Sequence, residues 1–135
     1  MLSPAVKVKK FVLQRHKFLY VWFPVVFYSG IIFYVSSLST ISVPLSGFNF
    51  DKAVHIVEYL PFGFLLARAL QHTNTNLSGK NLVGLVMVLS LVYGLSDEFH
   101  QSFVPGRQAG LLDVLADTIG GWLGGWFYIK VKVIK

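Results

Sequence analysis

Four apolar stretches separated by three short polar ones organise the sequence. Phe18 to Leu38 runs for 21 residues without a charge, long enough as a helix to cross a hydrocarbon core of about 30 Å. It exceeds the apolar core of roughly 7–15 residues in a cleaved signal peptide, and no clear A-x-A site follows, so it predicts a retained first helix. Pro24 falls inside it, which membrane helices tolerate because neighbours satisfy the freed carbonyl. Further helices are predicted from about Asp51 to Gln71, Asn81 to Glu98 and Leu111 to Ile129. The links Ser39 to Phe50 (with Pro44 and Gly47), His72 to Lys80 (with Asn74, Asn76 and Gly79) and Phe99 to Gly110 (with Pro105 and Gly106) have turn compositions. No internal repeat or low-complexity tract interrupts the pattern. The expected fold is an all-α membrane protein, a bundle of four transmembrane helices forming a single domain over residues 1–135.

Composition supports a lipid solvent. Hydrophobic residues make up 54% and charged residues 13%, where a soluble domain carries about 25% charged. The absence of cysteine removes disulfides and thiolate ligands and leaves the compartment open. The net charge of +6 does not point to nucleic acid, because most basic residues lie near the chain ends beside apolar runs. They read instead as topology signals. Four spans put Lys7, Lys9, Lys10, Arg15, Lys17, Arg68, Lys80, Lys130, Lys132 and Lys135 on one side, leaving Lys52 and Arg107 for the other. Both termini are therefore expected in the cytoplasm.

The acids are distributed unusually. All six fall into two blocks, Asp51 to Glu58 and Asp97 to Asp117. The first opens span two; the second closes span three and opens span four. In an alternating bundle these places share one membrane face, extracytoplasmic by the charge rule, so the two blocks are expected to form one site.

On a helix, Asp51, His55 and Glu58 make a single stripe. Glu58 lies about 10 Å along the axis from Asp51, deep enough to require a partner or a proton. Asp113 and Asp117 repeat the device on span four, and Asp97 and Gln101 share a face if span three continues. Arg107, after Pro105-Gly106, offers a fork for carboxylate or phosphate. Simpler readings stand beside these. Asp51 suits an N-cap, His55 a hydrogen-bonded packing residue, Arg107 a loop clamp on Asp97, Glu98 or Asp113, and Asp113 a structural partner. His16 and His72 read as solvated, and Tyr59, Tyr93 and Trp122 as packing or interfacial aromatics. Gly120, Gly121, Gly124 and Gly125 permit close helix approach, either within the bundle or between copies in a homo-oligomer.

The stretches DKAVHIVEYLPFG and SDEFHQSFVPGRQAGLLDVLADTIGG resemble the two signatures of the VanZ-like membrane proteins. Those signatures are Asp-Lys-x-x-His…Tyr, Asp-Glu-x-x-Gln…Pro-Gly-Arg, and an Asp preceding Asn-x-x-Gly. The matching positions are Asp51, Lys52, His55, Tyr59, Asp97, Glu98, Gln101, Pro105, Gly106, Arg107 and Asp113, within roughly Phe18 to Phe127. One position departs: Asp117 stands where the family commonly has Asn. The resemblance implies a small multispan protein of the bacterial cytoplasmic membrane. The family takes its name from an accessory determinant of glycopeptide resistance, with teicoplanin the usual association.

Three functions compete for these residues. As an enzyme on a lipid-linked phosphate or glycan precursor, His55 would be the general base or a ligand. Asp97 and Glu98 would then be ligands or acids, and Arg107 a phosphate clamp. Such a ligand set suits Mg²⁺, Mn²⁺ or Zn²⁺ without deciding among them. No H-E-x-x-H and no Gly-rich phosphate cradle is present. As a binding protein, the outer face would hold an envelope component or glycopeptide, with membrane lipid around it. As a proton-coupled carrier, Glu58 and Asp117 would be intramembrane proton sites.

Overall fold

The computed structural model describes the backbone of residues 4–39, 48–107 and 109–133, with side chains from residue 18 and, after the first link, from residue 50. Pro44, Gly47 and Lys135, and the side chains of Lys7, Lys9, Lys10, Arg15, His16 and Lys17, lie outside the described residues. Four helices follow in order: α1 (Pro4–Ser36), α2 (Phe48–Thr73), α3 (Gly79–Gln101) and α4 (Leu111–Val133). No strand occurs among the described residues.

Each helix extends beyond its apolar stretch, at one end or both. Hydropathy marks the part suited to hydrocarbon, whereas backbone hydrogen bonding continues into polar flanks. The second link shortens accordingly, and Ser78 caps α3 by accepting from Asn81 N at 3.3 Å. Asp51 is not an N-cap, because α2 begins at Phe48 and places it in the first turn. There its charge still complements the helix dipole. The third link turns through Val104–Arg107, with Arg107 N donating to Val104 O at 3.1 Å and Gly106 at φ 85°. Proline then glycine in the central positions is what such a turn requires.

Three helices, at Phe18–Ser36, Phe50–Thr73 and Gly79–Gln101, are long and apolar enough to cross a membrane. In α4, two aspartates and four glycines dilute the apolar content. Its faces are nonetheless sharply divided. Leu111, Leu112, Leu115, Ile119, Trp122 and Trp126 are exposed, whereas Asp113, Ala116, Asp117 and the four glycines are buried.

Small residues let α4 pack tightly between α2 and α3. Gly120 faces Ile56 and Tyr59, and Gly124 faces Leu60, Gly63 and Phe64, all on α2. Gly121 faces Ser90 and Gly125 faces Val86 on α3. The close approach available to these glycines is thus used within the chain. The register against α3 (125 to 86, 121 to 90, 117 to 94) advances four residues per step on both helices. It therefore carries Glu98 to the start of α4.

The first helix lies to one side. Val21, Val25, Ile32 and Ser36 form its buried stripe, and it touches α2 and α3 but not α4 among the described residues. Polar pins hold it: Trp22 Nε1 donates to Thr73 Oγ1 at 2.9 Å, Tyr28 OH to Glu58 O at 3.0 Å, and Tyr93 OH to Ser29 O at 2.7 Å.

Candidate functional site

The C-terminal ends of α1 and α3 and the N-terminal ends of α2 and α4 lie at the same end of the bundle. The acidic blocks therefore meet. At the rim, the Lys52 ammonium bridges Asp51, at 3.1 Å, and Asp113. Asp51 is largely exposed, Lys52 retains 22% side-chain exposure, and Asp113 is buried.

One turn further in lies a second layer. His55 Nδ1 pairs with Asp117 Oδ1 at 2.9 Å, and Asp117 is completely enclosed. Nε2 lies 3.7 Å from Asp113 Oδ1, too far for a direct hydrogen bond. Glu98, also buried, accepts from Gly110 N at 2.7 Å and so ties the end of α3 to the entry of α4. Asp97 accepts from Gln101 Nε2 at 3.0 Å, across one helical turn. Three of these buried carboxylates each leave one oxygen without a hydrogen-bond partner: Asp97 Oδ1, Glu98 Oε1 and Asp117 Oδ2.

Several expected residues stand apart. Glu58 is half-buried, and its carboxylate makes no hydrogen bond or ion pair among the described contacts. Arg107 forms no ion pair with Asp97, Glu98 or Asp113. Its Nη2 donates to Val35 O at 3.3 Å, fixing the third link to the end of α1, and its Nε is buried without a partner. His100 also turns to α1, bonding Ser37 Oγ at 2.9 Å and stacking on Phe33 with ring centroids 4.2 Å apart. Tyr59 is fully buried against Phe62 and Tyr93, with its hydroxyl unpartnered. His72 is exposed, as a solvated residue is expected to be.

The sequence profile of the VanZ/LLP1 family matches residues 3–134. The chain belongs to the VanZ/LLP1 family. Comparison with curated proteins and with solved structures gives no match. Membership agrees with the resemblance carried by the two signature stretches, and together with three helices long and apolar enough to cross a membrane it points to a membrane protein.

Within this VanZ/LLP1 chain, the signature residues divide into layers. Asp51, Lys52 and Asp113 form the rim; His55, Asp97, Glu98 and Gln101 line the interior; Pro105, Gly106 and Arg107 form the turn that closes onto α1. Two glycines complete the site and were not singled out in the sequence. Gly94 makes room for Asp117, since a Cβ there would come 3.0 Å from Oδ2. At Gly110 a Cβ would come 2.7 Å from Asp113 Oδ2. The available signal was a glycine interrupting an apolar helix, which marks close approach of another group. Asp117, the departure from the family pattern, pairs with His55. A groove of about 800 Å³ lies at the far end of the bundle, lined among others by Lys80, Trp122, Trp126 and Lys130. It carries no carboxylate and plays no part in this cluster.

Proposed function

We propose that this VanZ/LLP1 protein crosses the bacterial cytoplasmic membrane four times, as a single domain with both termini in the cytoplasm. Its outward-facing cluster binds, and is equipped to act on, the head group of a lipid-linked envelope component. Support for α4 as the fourth span comes from its length, about 35 Å at 1.5 Å per residue, and from its apolar exposed stripe. A helix exposing Leu, Ile and Trp while burying Asp and Gly suits lipid, not water. The cation excess supports the orientation.

His55 carries the functional reading. Asp117 holds Nδ1 and Nε2 lies 3.7 Å from Asp113, so the imidazole links the buried layer to the Lys52 rim. A membrane-boundary imidazole held between two carboxylates is suited to serve as a general acid or base or as a ligand. Lys52 supplies a cation at the rim for a phosphate, with Asp51 exposed beside it. The glycopeptide-resistance association of the family name fits a protein working on the outer face.

The test compares teicoplanin susceptibility in cells carrying the parent protein, no protein, His55→Gln or Asp97→Asn. Asp97→Asn keeps an acceptor for Gln101 and relieves the burial of an ion, so it leaves folding intact. Both variants are expected at parental membrane abundance with the susceptibility of cells lacking the protein. Parental susceptibility at equal abundance overturns the reading.

A further inference from the structure

We infer that the layer formed by His55, Glu98 and Asp117 is a divalent-cation site; the inference rests on reading this cluster as an acting site. One ring nitrogen of His55 and one oxygen each of Glu98 and Asp117 lie within 4.8 Å of one another, and all three residues are buried. Ligands at roughly 2.0–2.2 Å from an ion such as zinc stand at most about 4.4 Å apart. The three atoms lie near enough for one ion to draw them together by small side-chain movements.

The unpartnered oxygens give independent support. Glu98 Oε1 and Asp117 Oδ2 lack any hydrogen-bond partner, in residues 6% and 0% exposed. Buried carboxylate oxygens are rarely left unsatisfied without an ion or water to meet them. Charge balance favours the ion. Two buried carboxylates meet in this layer, and a divalent cation would offset their charge. Glu98 also has a support from outside the shell, since Gly110 N donates to its Oε2.

A neighbouring triad sharpens the assignment. Asp51, His55 and Asp113 also converge, but there the Lys52 ammonium already bridges the two carboxylates. The rim has its cation within the chain; the inner layer does not. One nitrogen and two carboxylates form a borderline set suited to Zn²⁺ or Mn²⁺ more than to Mg²⁺ or Ca²⁺.

Elemental analysis of the full chain, purified in detergent without chelator, tests this. About one Zn²⁺ or Mn²⁺ per chain is expected, absent from His55→Ala and Glu98→Gln and retained by His72→Ala and His100→Ala. Should the first two fail to fold, the parent chain decides. After chelation, adding Zn²⁺ or Mn²⁺ alone should raise its Tm in proportion to the logarithm of metal concentration. Substoichiometric metal in the parent together with no Tm shift overturns the site, as does metal that survives His55→Ala and Glu98→Gln. These readouts need no envelope phenotype. A metal-loaded chain whose Asp97→Asn variant still protects cells sinks the proposed function and leaves the site standing. A metal-free chain with an Asp97-dependent phenotype does the reverse.

Discussion

Lys52 separates architecture from function at the level of single residues. Its ammonium neutralises Asp113, which is buried, while keeping 22% of its own side chain exposed. Removing it strands an ion, whereas removing both partners does not. Lys52→Met is expected to lower stability by on the order of 3 kcal/mol, the lower end of the range for a stranded buried charge. Adding Asp113→Asn to that variant should restore most of the loss, measured by thermal denaturation in detergent. If the double variant is no more stable than Lys52→Met, the pair is not coupled, and Asp113 is held by something else. The stripes themselves were legible in the sequence, since the spacing of Asp51 with His55 and of Asp113 with Asp117 fixes a helical face. Partners across helices were not. Whether His55 meets Asp117 or Asp97 depends on how two helices are rotated and offset, and spacing within one helix carries no such information. Arg107 illustrates the limit: its chemistry suggested an acid, and it binds the carbonyl of Val35 instead.

That rotation and offset are set at the level of helices by glycine. Gly63 on α2 and Gly121 and Gly124 on α4 bring two backbones together so closely that a methyl group has no place to go. At Gly124 an added Cβ would run into the Leu60 carbonyl oxygen, a backbone atom that cannot rotate away. Gly84, by contrast, has nothing within 4 Å. Gly124→Ala is expected to destabilise the chain by roughly 1–3 kcal/mol, as overpacking does. It should also disturb the site, because the same crossing of α2 and α4 pairs Asp117 with His55. Gly84→Ala should be neutral or stabilising by up to about 1 kcal/mol. Denaturation of the two variants side by side checks this, and equal stability would mean that the crossing yields without cost. The small-residue spacing on α4 could be read from sequence, but the identity of its partners could not. The apolar pattern likewise located all four helices, although aspartates and glycines that pack inside the bundle interrupt it in α4.

For the whole molecule, the consequential property is which end faces out. The structure gathers Asp51, Lys52, Asp97, Glu98, Arg107 and Asp113 at one end, with Lys80 and Lys130 lining the groove at the other. Lys130 lies 5.3 Å from the Trp126 ring, a basic–aromatic pair of the kind that anchors a helix at a membrane interface. Ten of the twelve lysines and arginines belong to the groove end or to the chain termini that an even number of spans would place beside it. Cation excess marks the cytoplasmic side, so the acidic cluster should open outward, where a head group displayed on the outer leaflet would reach it. An odd number of spans would instead separate the termini and leave the basic residues divided between the two sides. Reporter fusions distinguish these arrangements. A fusion at Asn76 should score as cytoplasmic, and fusions at Gly47 and Gly106 as external. An external signal at Asn76 would place the cluster in the cytoplasm, where His55 and its neighbours could no longer meet an outer-leaflet ligand.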